Sequence, residues 1–390
     1  MSLASFLFVY FSITFIALNY IYSRLRVFYL ERKYKDKETG KIIDLGEKYD
    51  PFRPYDPINY TQFILIGLFL FPIRGVISFL ICVALCFNLK YLKYKYQNLD
   101  TDSYESSIRS EVIKFWSFAF LFINGISLEK EELDYEDIYK KYLGPDYNFK
   151  EEKYSLIICN HIGFYDVIAN MSINGCGFMA MKIISGFPIG GDIARDMGSI
   201  FVERLSETSR RESFDDIIKR QNDFYEGKIL NKIVVFPEGT TSNNNYIVKF
   251  KRGVFRSLLP LKPIIMHIDK SAPFHLCSNV TNLFLHVLRS FTCLKNKIFY
   301  CKLPIIEPTQ FMFDNYGNLG KEKWEIYSNV VKNMYAEIGK FKKSDLGHRD
   351  KDAYYEILES GIYNGEKLTL SNNYFYLIYF FLYNCQINSN

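Results

Sequence analysis

Between Tyr154 and Leu303, short apolar runs alternate with longer stretches of helical period. The runs are Tyr154–Ile158, Phe178–Met181, Ile200–Val202, Ile233–Phe236, Ile264–Ile268 and Ile298–Leu303. Each is only a few residues long and rich in Ile, Val and Phe, as strands buried on both faces are. The helical patterns fall at about 163–173, 189–197, 207–226 and 280–291, with 322–338 after the last run. Ser206 can cap the start of the 207–226 pattern, and Gly227 is placed to end it. This alternation predicts an α/β fold, a mostly parallel sheet flanked by helices. In such sheets chemistry collects at the carboxyl ends of the strands.

The N-terminal part has a different character. Residues 3–22 carry no charge and are long enough to span a bilayer as a helix. Arg24, Arg26, Arg32, Lys33, Lys35 and Lys37 follow, which predicts a retained anchor with its C-terminal flank in the cytosol. A polar loop fills 25–59. Phe63 to Leu89 is a second apolar block, interrupted by Pro72 and Arg74 and basic on both flanks. Two basic flanks favour entry and exit on one side, hence a re-entrant membrane hairpin over 60–96; a single tilted helix kinked at Pro72 is the alternative. Val112 to Ile126 reads as an amphipathic helix on the membrane, within a linker over 97–150. The catalytic domain is expected over 151–345. The tail, 346–390, ends in the apolar segment 374–385, an interfacial anchor or an added strand. The 31 Tyr and 35 Phe suit a membrane–water boundary, and equally a biased genome.

Three stretches at strand ends carry candidate chemistry. After the first run come Asn160, His161 and, five residues on from the histidine, Asp166. A hydroxyl nucleophile needs a base that titrates near neutrality, and a carboxylate can fix an imidazole's tautomer and raise its basicity. The third run contains Phe201, preceded by Gly198 and followed by Glu203 and Arg204. A guanidinium there can grip a phosphate in bidentate fashion, with Glu203 holding it or a glycerol hydroxyl. The fourth run ends at Phe236, and Pro237, Glu238, Gly239 and Thr240 follow, a stiffened turn whose N–H and O–H groups can face a phosphate or oxyanion. Lys249, Lys251 and Arg252 follow as possible phosphate or CoA contacts. Taken singly, the first two are weak signals; a capping aspartate or a surface ion pair explains each as well.

Together and in this order they resemble the glycerolipid acyltransferase superfamily. Its NHxxxxD motif matches Asn160, His161 and Asp166; its GxxFxxR element matches Gly198, Phe201 and Arg204; its FPEGT motif matches Phe236 to Thr240. The fourth, an apolar segment about a proline, is matched loosely by Leu261 to Ile265. The run through Phe255 and the Phe71-Pro72-Ile73-Arg74 break look like the lysophosphatidylcholine/lysophosphatidylethanolamine acyltransferase branch. That branch often ends in EF-hands, whereas in the one candidate, Asp314–Asn318, Tyr316 replaces an oxygen ligand and Leu319 follows where the turn glycine should be, so no calcium control is expected.

The resemblance implies acyl transfer from acyl-CoA to a lysophospholipid, His161 acting as base and Asp166 orienting it. The other named motif residues would bind substrate, and backbone N–H groups near Asn160 or Gly239 would hold the oxyanion. The chemistry requires no metal and no cofactor beyond the acyl-CoA co-substrate. A glycerol 3-phosphate or lysophosphatidic acid acceptor, and an inactive membrane scaffold of the same fold, are the other readings. The net charge of +5 gives no reason to expect nucleic acid. The eight cysteines form no CxxC pair and read as small buried hydrophobes. An endoplasmic-reticulum membrane with the catalytic domain toward the cytosol is the expected location.

Overall fold

A computed structural model describes residues 2–370 apart from 30–31, 36–39, 57, 97–101, 150–152, 204–206, 230 and 365. Arg204, Ser206 and the apolar tail segment 374–385 therefore lie outside the described residues.

The expected α/β architecture is present. The central sheet takes Ile126–Lys130 (β1), Leu156–Cys159 (β2), Gly177–Met181 (β3), Ile200–Val202 (β4), Ile233–Val235 (β5), Leu261–Ile268 (β6) and Asn296–Lys302 (β7). Its order is β1-β7-β6-β2-β5-β3-β4. Only the β6–β7 pairing is antiparallel within it. Each apolar run named from sequence is one of these strands, and the predicted helices occur at Phe164–Asn174, Gly190–Asp196, Glu207–Tyr225, Leu283–Ser290 and Lys323–Ile338.

Strand alternation divides the core between two layers. Leu156 and Ile158 of β2 face a cluster built with Tyr139, Val331, Met334 and Tyr335. Ile157 and Cys159 face the other layer, with Ile113, Tyr165, Ala169 and Leu89. Two boundaries differ from the expected ones. The sheet takes in Ile126–Lys130, well upstream of 151, and the helix Glu136–Leu143 belongs to the same core. At the other end, within the expected tail, His348–Ser360 is a helix packed on the N-terminal part through Tyr354 and Tyr355.

We label the N-terminal helices α1 (Leu3–Arg26), α2 (Tyr60–Tyr96) and α3 (Asp102–Ile123). α1 and α2 are the two described helices long and apolar enough to cross a membrane. They pack antiparallel: Tyr22 meets Tyr60 and Phe11 meets Phe69, with ring centroids 4.8 and 5.7 Å apart. The reversal expected at Pro72 does not occur, and α2 is one helix of 37 residues through that proline. Arg74 explains how a charge is tolerated there: its guanidinium donates to the carbonyls of Cys293 and Leu294 on the globular part. Further along, Leu85, Cys86 and Leu89 enter the core, and Lys90 pairs with Asp192 at 2.7 Å. The opposite face, with Phe69, Ile73, Val76, Phe79, Leu80 and Phe87, is exposed. α2 therefore lies along the domain, at about 1.5 Å per residue some 55 Å long, well beyond the roughly 30 Å of a bilayer core. α3 likewise buries Ile113, Phe120 and Leu121 and exposes Phe115, Phe118 and Phe122.

Candidate active site

β2 ends at Cys159, between β6 and β5, and the chain turns through Asn160–Gly163 into the helix Phe164–Asn174. In this turn the backbone polar groups of His161 and Ile162 all have partners. The His161 N–H donates to Glu238 Oε1 at 2.8 Å, and its carbonyl accepts from the Ser242 N–H at 3.0 Å. The Ile162 N–H donates to Asp166 Oδ2, and its carbonyl accepts from the Ser278 N–H at 3.1 Å. Gly163 also donates to Asp166 Oδ2, at 3.1 Å. A Cβ at Gly163 would stand 2.9 Å from the Ser278 nitrogen, so only glycine permits this approach.

The side chain is oriented as tightly. His161 Nδ1 lies 2.9 Å from Asp166 Oδ2, which is buried. An acceptor-only carboxylate at Nδ1 places the proton there and leaves Nε2 for an incoming hydroxyl. The imidazole stacks on Phe236, centroids 4.1 Å apart, and Phe236 stacks in turn on Phe178. His161 remains one-fifth exposed while Asp166 is sealed, the arrangement a general base requires.

Several residues expected to touch substrate do structural work. Glu238 is fully buried and spends both oxygens on backbone, taking the N–H of His161 and, at 3.1 Å, of Val248. Burial pushes its carboxyl up to about 8, against the pull of those two donors toward the ionised form. Asn160 is also buried and extends the β2–β6 ladder, donating to the Met266 carbonyl at 2.9 Å and accepting from its N–H at 2.8 Å. Gly239 takes a positive φ of 62°, closing a turn in which its N–H donates to the Phe236 carbonyl. The N–H groups of His161, Ile162, Gly163 and Gly239 are thus committed, so these amides are not available as the expected oxyanion donors. Among the described residues, the Thr240 amide and hydroxyl have no such partner. Pro237 accepts from the Lys251 N–H at 2.7 Å. Lys249, Lys251 and Arg252 are exposed beyond the loop.

The second motif sits apart from this cluster. Gly198 follows Gly190–Asp196 with a φ of 76°, and Phe201 is half-buried in the edge strand β4. Glu203 pairs with Lys182 at the end of the neighbouring strand, 2.7 Å away. Sequence reasoning missed Lys351, of the helix His348–Ser360, which donates to Thr241 Oγ1 beside the FPEGT turn. Burial lowers its ammonium to about 8. Nothing in the spacing of that charged segment points to the site.

Residues 144–268 match the family model described as Acyltransferase. The matched stretch is similar to an acyltransferase domain and contains the His161 turn and the Phe236–Thr240 loop. Lysophospholipid acyltransferase LPEAT1 of Arabidopsis thaliana is 25% identical over 212 residues, 54% of this chain and 51% of that protein. Lysophospholipid acyltransferase LPCAT4 of Xenopus tropicalis is 24% identical over 252 residues, 60% of this chain and 44% of that one. This chain spans about half or less of the length of these relatives. The crystal structure of PlsC, the 1-acyl-sn-glycerophosphate acyltransferase of Thermotoga maritima, aligns at 14% identity with a TM-score of 0.44. That alignment covers 68% of this chain and 97% of that one. The matched stretch holds the Asn160–Asp166 and Phe236–Thr240 segments together at the strand ends, and it ends with β6.

Proposed function

We propose that this protein transfers a fatty acyl group from acyl-CoA to the hydroxyl of a lysophospholipid at a membrane surface. The observation that carries the reading is the 2.9 Å contact of His161 Nδ1 with the buried Asp166, on a turn in which the amides and carbonyls of His161 and Ile162 are held. The acceptor hydroxyl gives its proton to Nε2, and its oxygen attacks the thioester carbonyl. The tetrahedral intermediate collapses with loss of the CoA thiolate, which the imidazolium can protonate. The Thr240 amide and hydroxyl are the donors we assign to a substrate oxygen, either the oxyanion or an acceptor phosphate. Arg204 and the exposed Lys249, Lys251 and Arg252 are assigned to substrate phosphates.

The relatives named as lysophospholipid acyltransferases support this acceptor class. So does a lyso-ornithine lipid O-acyltransferase of Rhizobium meliloti, 32% identical over 30% of this chain and 39% of that one. We further propose that α1, α2 and α3 lie along one leaflet, their exposed apolar faces in lipid, because each has its other face on the protein. Both ends of α2 then lie on the side of the catalytic domain, for which the endoplasmic-reticulum membrane, facing the cytosol, is our reading.

A membrane preparation supplied with labelled acyl-CoA and a panel of lysolipids and glycerol 3-phosphate tests the assignment. Label is expected in a diacyl phospholipid. Label only in lysophosphatidic acid, or in no lipid, would contradict it.

A further inference from the structure

The turn that carries His161 is braced from a helix outside the acyltransferase match. Lys351 lies in His348–Ser360 and its ammonium donates to Thr241 Oγ1. The same oxygen accepts from the Ser278 hydroxyl at 3.1 Å. These two residues belong to the two loops that hold the turn. Ser242, next after Thr241, donates its N–H to the His161 carbonyl, and Ser278 donates its own to the Ile162 carbonyl. Among the described residues no carboxylate pairs with Lys351, so the cation is spent on a hydroxyl at this junction.

The helix that presents it is well anchored. Gly347 donates to Asp350 at 2.8 Å to cap its start, and the Lys249 N–H donates to the Leu346 carbonyl at 3.1 Å. Tyr354 stacks on Tyr49 with centroids 4.9 Å apart, and Tyr355 on Phe28 at 5.5 Å. An anchored donor can hold a loop in register; a flexible one cannot.

We propose that Lys351 is a positioning residue: by holding Thr241 it fixes the two loops that hold the His161 and Ile162 carbonyls, and through them the imidazole. This rests on the reading of His161 as the base. Displacing a base by about 1 Å costs up to about a hundredfold in rate, without a matching loss of binding.

The test uses the full chain in membranes. Lys351→Met and Thr241→Val are each expected to lower kcat about tenfold to a hundredfold, with KM for both substrates within about twofold. Their double variant should be no worse than either alone, because both break one link. Lys351→Arg and Thr241→Ser should keep most of the activity. Hydrogen exchange supplies a readout independent of turnover: amides in peptides covering 160–166 and 240–245 should exchange faster in Lys351→Met, and those of β7 should not. If that variant does not accumulate, Thr241→Val carries the same expectations with the helix intact. An unchanged kcat, an unchanged exchange pattern, or additive losses in the double variant would overturn the proposal. So would a raised acceptor KM at intact kcat, which would make Lys351 a direct ligand contact. A wild-type chain that turns over no acyl-CoA refutes the proposed function, and the exchange experiment still decides the brace.

Discussion

The two motif-bearing ends of the sheet are built in opposite ways. The Asn160–Asp166 turn sits mid-sheet, with the backbone N–H and C=O groups of His161 and Ile162 taken up by Glu238, Ser242, Asp166 and Ser278. The Gly198–Glu203 segment runs along the edge strand β4, half-buried, and its Glu203–Lys182 pair is largely exposed. Exposed pairs contribute little, from nothing to about 1 kcal/mol. A base must be held within a fraction of an ångström of its reacting geometry, so rigidity belongs at the centre. In the proposed function the edge segment binds the acceptor and takes no part in the proton transfer, so its position is less tightly constrained.

Substitutions can break this contrast, beginning with the largest effect. Asp166→Asn keeps the shape but presents an amide to Nδ1, stabilising the wrong tautomer, and should lower kcat by about 10³-fold with substrate KM little changed. A large rise in KM instead would place Asp166 in binding. Next, Glu238→Gln leaves one of two backbone donors facing an NH₂ group, and should cost about 1–3 kcal/mol of stability. Its pH dependence has a definite sign. The folded carboxyl is raised from 4.5 to about 8, so its contribution is fully present below 4.5 and is lost as pH rises through about 8. Thermal unfolding of wild type and Glu238→Gln from pH 5 to 9 should show the wild-type advantage shrinking as pH rises. An advantage that grows would mean an ionised carboxylate. At the edge, Arg204→Ala should raise the acceptor KM about tenfold, more than the acyl-CoA KM, and leave kcat within a fewfold. A collapse of kcat there would erase the contrast between centre and edge.

What could be read from the chain divides along similar lines. The buried strands were legible because burial on both faces leaves a continuous apolar run, as in Leu156–Cys159. Ile126–Lys130 was not. It is an edge strand alternating Ile126, Ser127, Leu128 and Glu129, and it leads into an acidic stretch that reads as linker. The helix at 348–360 hides its apolar stripe, Tyr354, Ile357 and Leu358, among charged residues. At the candidate site, motif spacing paired His161 with Asp166, which do meet at 2.9 Å, but could not tell outward-facing groups from supporting ones. Glu238 and Asn160 are polar residues at strand ends, as substrate contacts would be, yet both side chains turn inward to backbone partners that sequence does not display. The Pro72 break was misread for a related reason. A proline and an arginine in an apolar block signal a reversal only if nothing else receives the charge, and here the carbonyls of Cys293 and Leu294 do.

The most direct test is acyl transfer itself, measured as labelled diacyl phospholipid formed from acyl-CoA and lysophospholipid by membranes carrying wild-type chain or His161→Ala at equal abundance. The wild type is expected to form product and His161→Ala to lose about 10³-fold in rate. Product formation by His161→Ala within about tenfold of wild type would show that His161 is not the base, and the central claim would fall.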